Sequence, residues 1–393
     1  MSLNLCGNRC MRAYWSEERT RCERNKIIVL GWSAEKFGAH SKVNLLTDDI
    51  LEYLVTFLIH EREPVLVLAA LVTLEKFGIN AQNKMLIDSK MAHQMLHPLL
   101  PLELHHRSVR HPWRCVGFAA RWALDNIFIF PGREFSFETV EMDKINVILN
   151  VKDKSPHLKV SAEGLEARCD FHTLGSAKGT FEVKSGVWYY EVILITSGVM
   201  QFGWAGKKTR FDRKVRRFWT EEGCGVGDDK YSIAYDGCRR MIWHRARASN
   251  VPLLLPSWVP GDVLGCLIDT HRGIVIFSLN GCALPSCHLE FLSSGAGFYP
   301  AASLMANQQC LFNFGARPFL YPPHQPFNNM NTTAIILPKA RLIIPEHLDG
   351  KKQLVDGSKS SERRCPVCNN SEGIYGIHSC KHSFVSNIDV ELP

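Results

Sequence analysis

Four residues near the end of the chain have the types and the spacing of zinc ligands. They are Cys365, Cys368, Cys380 and His382, in the arrangement Cys-x2-Cys, eleven residues, Cys-x-His. Thiolates and imidazoles are the ligands that zinc prefers, and a closed structural site needs four of them. We therefore predict a zinc site here. The alternative is a set of unrelated reduced cysteines in a polar tail.

Other groups of reactive side chains lack the pattern of a site. Cys6, Cys10 and Cys22 have no clustered fourth partner, and Gly223-x-Gly225-x-Gly227 is not followed by a helical pattern, as a nucleotide loop would be. The histidines between residues 93 and 111 lack HExxH-type spacing. No Ser/His/Asp or Cys/His arrangement is readable, so the sequence predicts no catalytic residue of its own.

Composition narrows the class of protein further. The 393 residues are 46% hydrophobic with a net charge of +7, which is too small an excess to argue for nucleic acid. The longest apolar run, residues 64–74, is too short to cross a membrane. Fourteen scattered cysteines favour reduced thiols. We expect a cytoplasmic protein, or a secreted form if a signal peptide precedes this N-terminus.

The first part of the chain is predicted to be helical. Residues 1–40 show no sustained period and are expected to be a poorly ordered terminal segment. Within 41–150, a helix begins after Thr47, and a second opens at Pro64 and ends near Gly78. Further helices are predicted over residues 84–96 and after His111-Pro112. Their apolar stripes indicate a small bundle or a pair of helical repeats.

The period changes near residue 145, and short strands follow without a helical interruption. These runs are rich in Val, Ile and aromatic residues, and Asn280-Gly281 is a hairpin signal. Many short strands without crossovers predict an antiparallel β-sandwich over residues 151–320. Proline-rich and charged stretches over 321–364 predict a linker, or a segment lying over the sandwich, before the cysteine motif at 365–393.

The strand region resembles a SPRY (B30.2) domain. The resemblance is carried by GVWYYEVILITSGVMQFGWAG (186–206), GVGDDKYSIAYDG (225–237), GDVLGCLIDTHRGIVIFSLNG (261–281) and FYPAASLMANQQCLFNFG (298–315). The helical part and the cysteine motif add a likeness to the RING finger and SPRY domain-containing proteins. It implies a multidomain α+β chain whose sandwich recognises a protein or peptide through loops at one end.

Aromatic and glycine residues of the strand region have a structural explanation of their own. The aromatic residues are expected to pack in the sandwich core, and the glycines to serve turns and close backbone approach rather than phosphate binding. The aromatic residues concerned are Trp188, Tyr190, Trp204, Trp243, Phe277 and Phe298.

One loop has unusual chemistry. KKTRFDRKVRR, residues 207–217, holds seven basic residues and one acid. A solvated charged loop is the simplest interpretation. The alternative is that Lys208, Arg210, Arg213 and Arg216 steer an acidic partner by bidentate contacts to carboxylates. The resemblance implies a neighbouring loop over residues 305–308. Met305 and Asn307 are its candidate contacts.

The same resemblance makes the cysteine motif the first half of a RING finger, which binds two zinc ions in a cross-brace. The family pattern calls for four more ligands, but Val385 and Ser386 stand where the next would be, and no cysteine follows Cys380. Two functions remain. One is a RING-type E3 ubiquitin ligase that recruits an E2 enzyme. The other is a non-catalytic adaptor with a truncated RING, in which zinc is absent or substoichiometric.

Overall fold

The computed structural model describes residues 3–37, 45–59, 63–92, 97–211, 225–250, 256–288, 297–335 and 343–349. The chain forms two compact units, Met1–Ile344 and Pro345–Pro393. The described helices are α1 (Leu3–Phe37), α2 (Asp48–Ile59), α3 (Pro64–Phe77), α4 (Ala81–Ala92), α5 (Leu99–Glu103), a 3-10 turn (Leu104–Arg107), α6 (His111–Asn126), α7 (Ser136–Thr139), α8 (Met330–Thr333) and α9 (Glu346–Asp349). Within these ranges, no helix is long and apolar enough to cross a membrane.

The predicted helical region is confirmed, and α3 lies at its centre. Thr47 caps α2 as expected, since its hydroxyl accepts the Ile50 N–H at 3.3 Å. Pro64 occupies the first turn of α3, and Gly78 ends that helix. Helices α1, α2 and α6 pack against α3. We refer to α1–α6 as the helical layer.

The expectation of a poorly ordered segment over 1–40 is wrong for the second half of α1. Ile27 and Ala34 are buried, and the Thr73 hydroxyl of α3 donates to the Ile27 carbonyl at 3.0 Å. Gly31 permits this close crossing, because a Cβ there would lie 2.7 Å from Thr73 Oγ1. The helix was missed because its apolar residues do not repeat regularly; it is held by tertiary packing rather than by an amphipathic pattern.

The sandwich has the two antiparallel sheets that the strand pattern predicts. The strands are β1 (Leu149–Lys154), β2 (Leu158–Val160), β3 (Glu166–Cys169), β4 (Gly175–Gly179), β5 (Val187–Leu194), β6 (Met200–Gly206), β7 (Ser232–Asp236), β8 (Met241–His244), β9 (Arg247–Asn250), β10 (Val263–Asp269), β11 (Ile274–Leu279), β12 (Cys282–Ala283), β13 (Cys287–His288), β14 (Phe298–Leu304), β15 (Gln308–Asn313) and β16 (Asn328–Asn329). Sheet A has the order β1-β4-β14-β6-β7-β8-β9, and sheet B the order β12-β11-β10-β5-β15-β3-β2, with β13 beside β11. The two-residue β16 pairs with β5 in parallel.

Aromatic side chains fill the space between the sheets. Trp204 of β6 packs edge-on against Tyr190 of β5, with ring centroids 5.2 Å apart. Five of the six aromatic residues assigned to the core are buried there, and the sixth, Trp243, is not. Trp243 faces Ala234 on the outer side of sheet A, is only half-buried, and stacks under Arg239 with the guanidinium carbon 4.6 Å from the ring centroid.

A buried ionic network joins the helical layer to the outer face of sheet B. Lys159 of β2 donates to Asp170 Oδ2 at 2.8 Å and also to the carboxylate of Glu75 in α3. Arg168 Nε of β3 donates to Asp170 Oδ2 at 3.0 Å. None of these four side chains is more than 8% exposed. Charges this deeply buried are stable only when paired, so the network holds α3 in place against the sheet.

Two further ion pairs bring α6 and α1 into the same interface. Arg114 of α6 makes a bidentate pair with Glu166 of β3, at 2.9 and 2.8 Å. Glu35 of α1 pairs with Lys76 of α3 at 2.7 Å and contacts the His172 ring nitrogen. Because these contacts involve three helices, the helical layer and the sandwich form one unit rather than two independent domains.

Residues 316–327 lie over sheet B, and Asn328–Asn329 join that sheet as β16, so the first part of the predicted linker belongs to the sandwich. The Glu191 carboxylate of β5 accepts the Leu320 N–H at 2.8 Å. Farther on, Asn331 is buried, and its side-chain oxygen accepts the Asn146 N–H at 2.7 Å. The extension and the helical layer therefore both cover sheet B.

Candidate protein-interaction surface

Residues of the segment that connects strands β6 and β7 pack on the outer face of sheet A. Phe211 and Val226 of this connection are buried on Ala205, Ala234 and Ala301, which form a small apolar cluster on that face. Small side chains on the sheet let the connection approach closely. The residues of β8 are half-buried, and those of β9 from Arg247 to Ser249 are exposed.

Thr209 anchors the start of this connection. Its carbonyl accepts the Lys178 ammonium at 2.7 Å, and its hydroxyl donates to Asp229 Oδ1 at 3.3 Å. The flanking residues Lys208 and Arg210 are exposed. Two of the predicted contact residues are therefore presented to solvent by a fixed backbone.

The two aspartates of the GVGDD motif hold the connection together. Asp229 Oδ1 accepts the Tyr231 N–H at 2.9 Å and the Ser232 hydroxyl at 2.8 Å. Asp228 Oδ2 accepts the Gly225 N–H at 2.7 Å. Gly227 has φ +94°, and a Cβ there would lie 2.5 Å from the Trp243 carbonyl oxygen. The glycine and aspartate residues thus serve the turn, as predicted for the glycines.

The β8–β9 hairpin tip, which the sequence did not single out, lies against the same motif. The Arg245 N–H donates to the Asp229 carbonyl at 3.2 Å, and the Ala246 N–H to the Gly227 carbonyl at 3.0 Å. Arg245 and Ala246 have φ of +54° and +56°. A two-residue turn of this type strongly favours Asn-Gly, and a side chain in the left-handed region costs about 1–2 kcal/mol per residue.

The predicted contact loops follow different ends of sheet A. Strands β6 and β14 pair antiparallel over seven residues. Gly206 lies opposite Phe298, and Met200 lies opposite Leu304. At a rise of about 3.4 Å per residue, the two ends of this ladder are about 20 Å apart.

Lys208 and Arg210 follow Gly206 at one end, whereas Met305 and Asn307 follow β14 at the other. The expectation that the two loops are neighbours is therefore wrong for this part of the basic loop, because β6 and β14 run in opposite directions. Asn307 has φ +64° and forms the turn into β15. The role of these four residues in binding stays a prediction.

Several predicted site residues lie outside the described residues. They are Arg213, Arg216 and the four zinc ligands Cys365, Cys368, Cys380 and His382. Within the ranges that the structure describes, no group of three or more His, Cys, Asp or Glu side chains could hold a metal ion. The zinc site therefore stays a prediction from spacing.

Comparison with known proteins agrees with the sandwich. Residues 187–317 match the SPRY domain family. E3 ubiquitin-protein ligase RKP of Arabidopsis thaliana is 39% identical over 150 residues, which cover 37% of this chain and 11% of the ligase. Probable ATP-dependent RNA helicase ddx1 of Dictyostelium discoideum is 27% identical over 181 residues, or 46% of this chain and 20% of the helicase.

A solved structure is also similar. The SPRY domain of human HERC1 matches with a TM-score of 0.32 and 14% identity, over 42% of this chain and 96% of that one. The present chain spans only a small part of the curated relatives it matches. Taken with the two antiparallel sheets, the family match shows that the chain carries a SPRY domain, a protein-interaction module, over residues 187–317.

Proposed function

We propose that this chain is a RING-type E3 ubiquitin ligase in which the SPRY loops select the substrate and the RING recruits the E2 enzyme. The observation that carries the proposal is the 39% identity between its SPRY region and the E3 ubiquitin-protein ligase RKP. The spacing of Cys365, Cys368, Cys380 and His382 supports it, because these are the first ligands of a RING. In this account the protein acts in the cytoplasm.

The two ends of the chain have different roles in this proposal. Loops on the sandwich bind a protein substrate, since a rigid β scaffold presents recognition residues on its loops. The candidate contacts are Lys208, Arg210, Arg213, Arg216, Met305 and Asn307. Zinc binding supplies the folding energy of the RING. The folded RING recruits an E2 enzyme that carries ubiquitin. Ubiquitin then passes to the substrate without a nucleophile from this chain.

A second function, that of a non-catalytic adaptor, is favoured by a specific observation. Val385 and Ser386 stand where the RING pattern has its next ligand after His382. Without that ligand a cross-braced RING would lack a complete zinc site and would not fold. The SPRY domain would then bind its partner without delivering an E2 enzyme.

Zinc content and ubiquitin transfer separate the two functions. For a ligase we expect zinc bound to the purified chain, and autoubiquitination in the presence of E1, E2, ubiquitin and ATP. Replacing Cys365 and Cys368 with serine should abolish both, whereas Cys282→Ser, an exposed cysteine in β12, should change neither. A chain that binds no zinc and transfers no ubiquitin would leave the adaptor as the function.

A further inference from the structure

We propose that the SPRY domain binds an Asp- and Glu-rich segment of its partner at one end of sheet A. The site, here called the basic end, consists of Lys208, Arg210, Lys230, Arg245 and Arg247. This inference rests on the proposed protein-recognition function and supplies the chemistry of the partner. It differs from the basic loop of the sequence analysis because the β8–β9 hairpin is part of the site.

The segment Asp229–Tyr231 brings the cations of the basic end together. The Asp229 carboxylate accepts a hydrogen bond from the hydroxyl of Thr209, the residue between Lys208 and Arg210. The backbone carbonyl of Asp229 accepts the Arg245 N–H. The ammonium groups of Lys208 and Lys230 lie 5.5 and 5.2 Å from the centroid of the Tyr231 ring. Arg247 is the first residue of β9 and directly follows the hairpin tip.

These cations have no carboxylate partner within the part of the chain that the structure describes. None of the five is in a salt bridge, and all five are exposed. Two acids lie beside these cations, Asp228 and Asp229, and their carboxylates accept hydrogen bonds from the connection itself. With five cations against two acids, the basic end presents a net positive surface.

The hairpin tip gives a second, independent observation. Arg245 and Ala246 both occupy the left-handed region, where Asn-Gly would be unstrained. Their N–H groups are fixed by the Asp229 and Gly227 carbonyls, so the tip cannot relax without losing both bonds. Strain that a structure maintains in this way is typical of functional sites. Here the strained conformation holds Arg245 at the hairpin tip.

Carboxylates of a peptide fit this surface better than nucleic acid does. A guanidinium makes two parallel hydrogen bonds to a carboxylate, and the cations come from three separate segments, which suits an extended acidic chain. Binding of single-stranded nucleic acid would need an aromatic face on which bases stack. The aromatic ring at the basic end, that of Tyr231, already has two lysines over it.

The test measures peptide binding by the whole chain, with fluorescence anisotropy of the peptide as the signal. The probe is a short labelled peptide in which Asp and Glu alternate with Ser and Gly, and its Asn and Gln counterpart is the neutral comparison. We expect the double variant Arg245→Asn, Ala246→Gly to bind the acidic peptide about tenfold more weakly. Because it relieves the strained turn, the same variant should have a higher Tm, so loss of binding cannot be attributed to misfolding.

Arg240→Asn is the matched control. Arg240 also has a positive φ, +57°, but it lies in the turn before β8, at the opposite end of that strand. The control therefore makes the same charge change and relieves the same kind of strain. Its affinity for the acidic peptide should stay within about twofold of the wild type, since separated exposed charges are screened by salt.

Five results would overturn the inference. They are no binding of the acidic peptide by the wild type, unchanged binding by the hairpin variant, an equal loss in Arg240→Asn, equal binding of the neutral peptide, and tighter binding of a single-stranded oligonucleotide of equal charge. The assay contains no zinc, E2 or ubiquitin. Ubiquitin transfer without peptide binding would thus overturn only this inference, and peptide binding without transfer would overturn only the ligase.

Discussion

Replacing Lys159 with methionine is expected to lower the free energy of unfolding by about 3–5 kcal/mol. Its ammonium lies between the carboxylates of Glu75 and Asp170, and all three side chains are at most 8% exposed. Burial raises the pKa of Glu75. Burial acts in the same direction on Asp170, but Arg168 and Lys159 outweigh it and lower the pKa of that group. Removing the cation leaves two buried carboxylates competing for Arg168 alone.

Chemical denaturation of the whole chain measures this effect. Lys184→Met is the control, because that side chain is 72% exposed and its pair with Glu182 should contribute about 1 kcal/mol or less. Adding Glu75→Gln to Lys159→Met should recover part of the loss, since an amide needs no counterion. A Lys159→Met protein as stable as the control would show that the network does not hold the helical layer on sheet B.

Trp204→Ala is expected to cost about 3–5 kcal/mol of stability, because it removes a fully buried indole from between the sheets. Its ring packs edge-on against Tyr190, and its strand, β6, is central in sheet A. Neighbouring side chains cannot fill the resulting space without moving the strand.

A second tryptophan of the same sheet provides the comparison. Trp243 is half-buried on the outer face beneath Arg239, so Trp243→Ala should cost less than half as much as Trp204→Ala. Thermal and urea unfolding of the two variants decide the point. Equal losses would contradict the assignment of Trp204 to the core and Trp243 to the outer face.

Strand periodicity and turn residues were sufficient to predict the sandwich. The alternation of Val, Ile and aromatic residues sets which face of each strand is buried, and Asn280-Gly281 forms the expected turn, with φ of +50° and +83°. The same reasoning assigned Trp243 to the core. An aromatic residue in a strand predicts that its side of the strand is buried. It does not show whether that side faces the core between the sheets or the outer surface.

The ionic network could not be predicted from local pattern. Glu75 and Lys159 are 84 residues apart, and each looks like an ordinary surface charge in its own segment. Their burial follows from the docking of α3 on sheet B, a tertiary event that periodicity does not encode. For the same reason the second half of α1 was expected to be poorly ordered.

Only part of the basic end could be predicted from the sequence. The cations of residues 207–217 lie close together in the chain, so the sequence shows them as a cluster. Arg245 and Arg247 come near Lys208 and Arg210 only in the fold. The sequence HRARA contains no glycine or asparagine, so the hairpin tip gives no turn signal. A non-glycine pair in the left-handed region becomes evident only from the backbone.

Hydrogen–deuterium exchange with and without the acidic peptide tests the central claim most directly, namely that sheet A presents the recognition surface while sheet B is covered. We predict slower exchange on peptide addition at residues 207–211, 229–232 and 245–248, and no change at 159–170. Protection confined to the helical layer, or no protection at 229–232 and 245–248, would contradict the account.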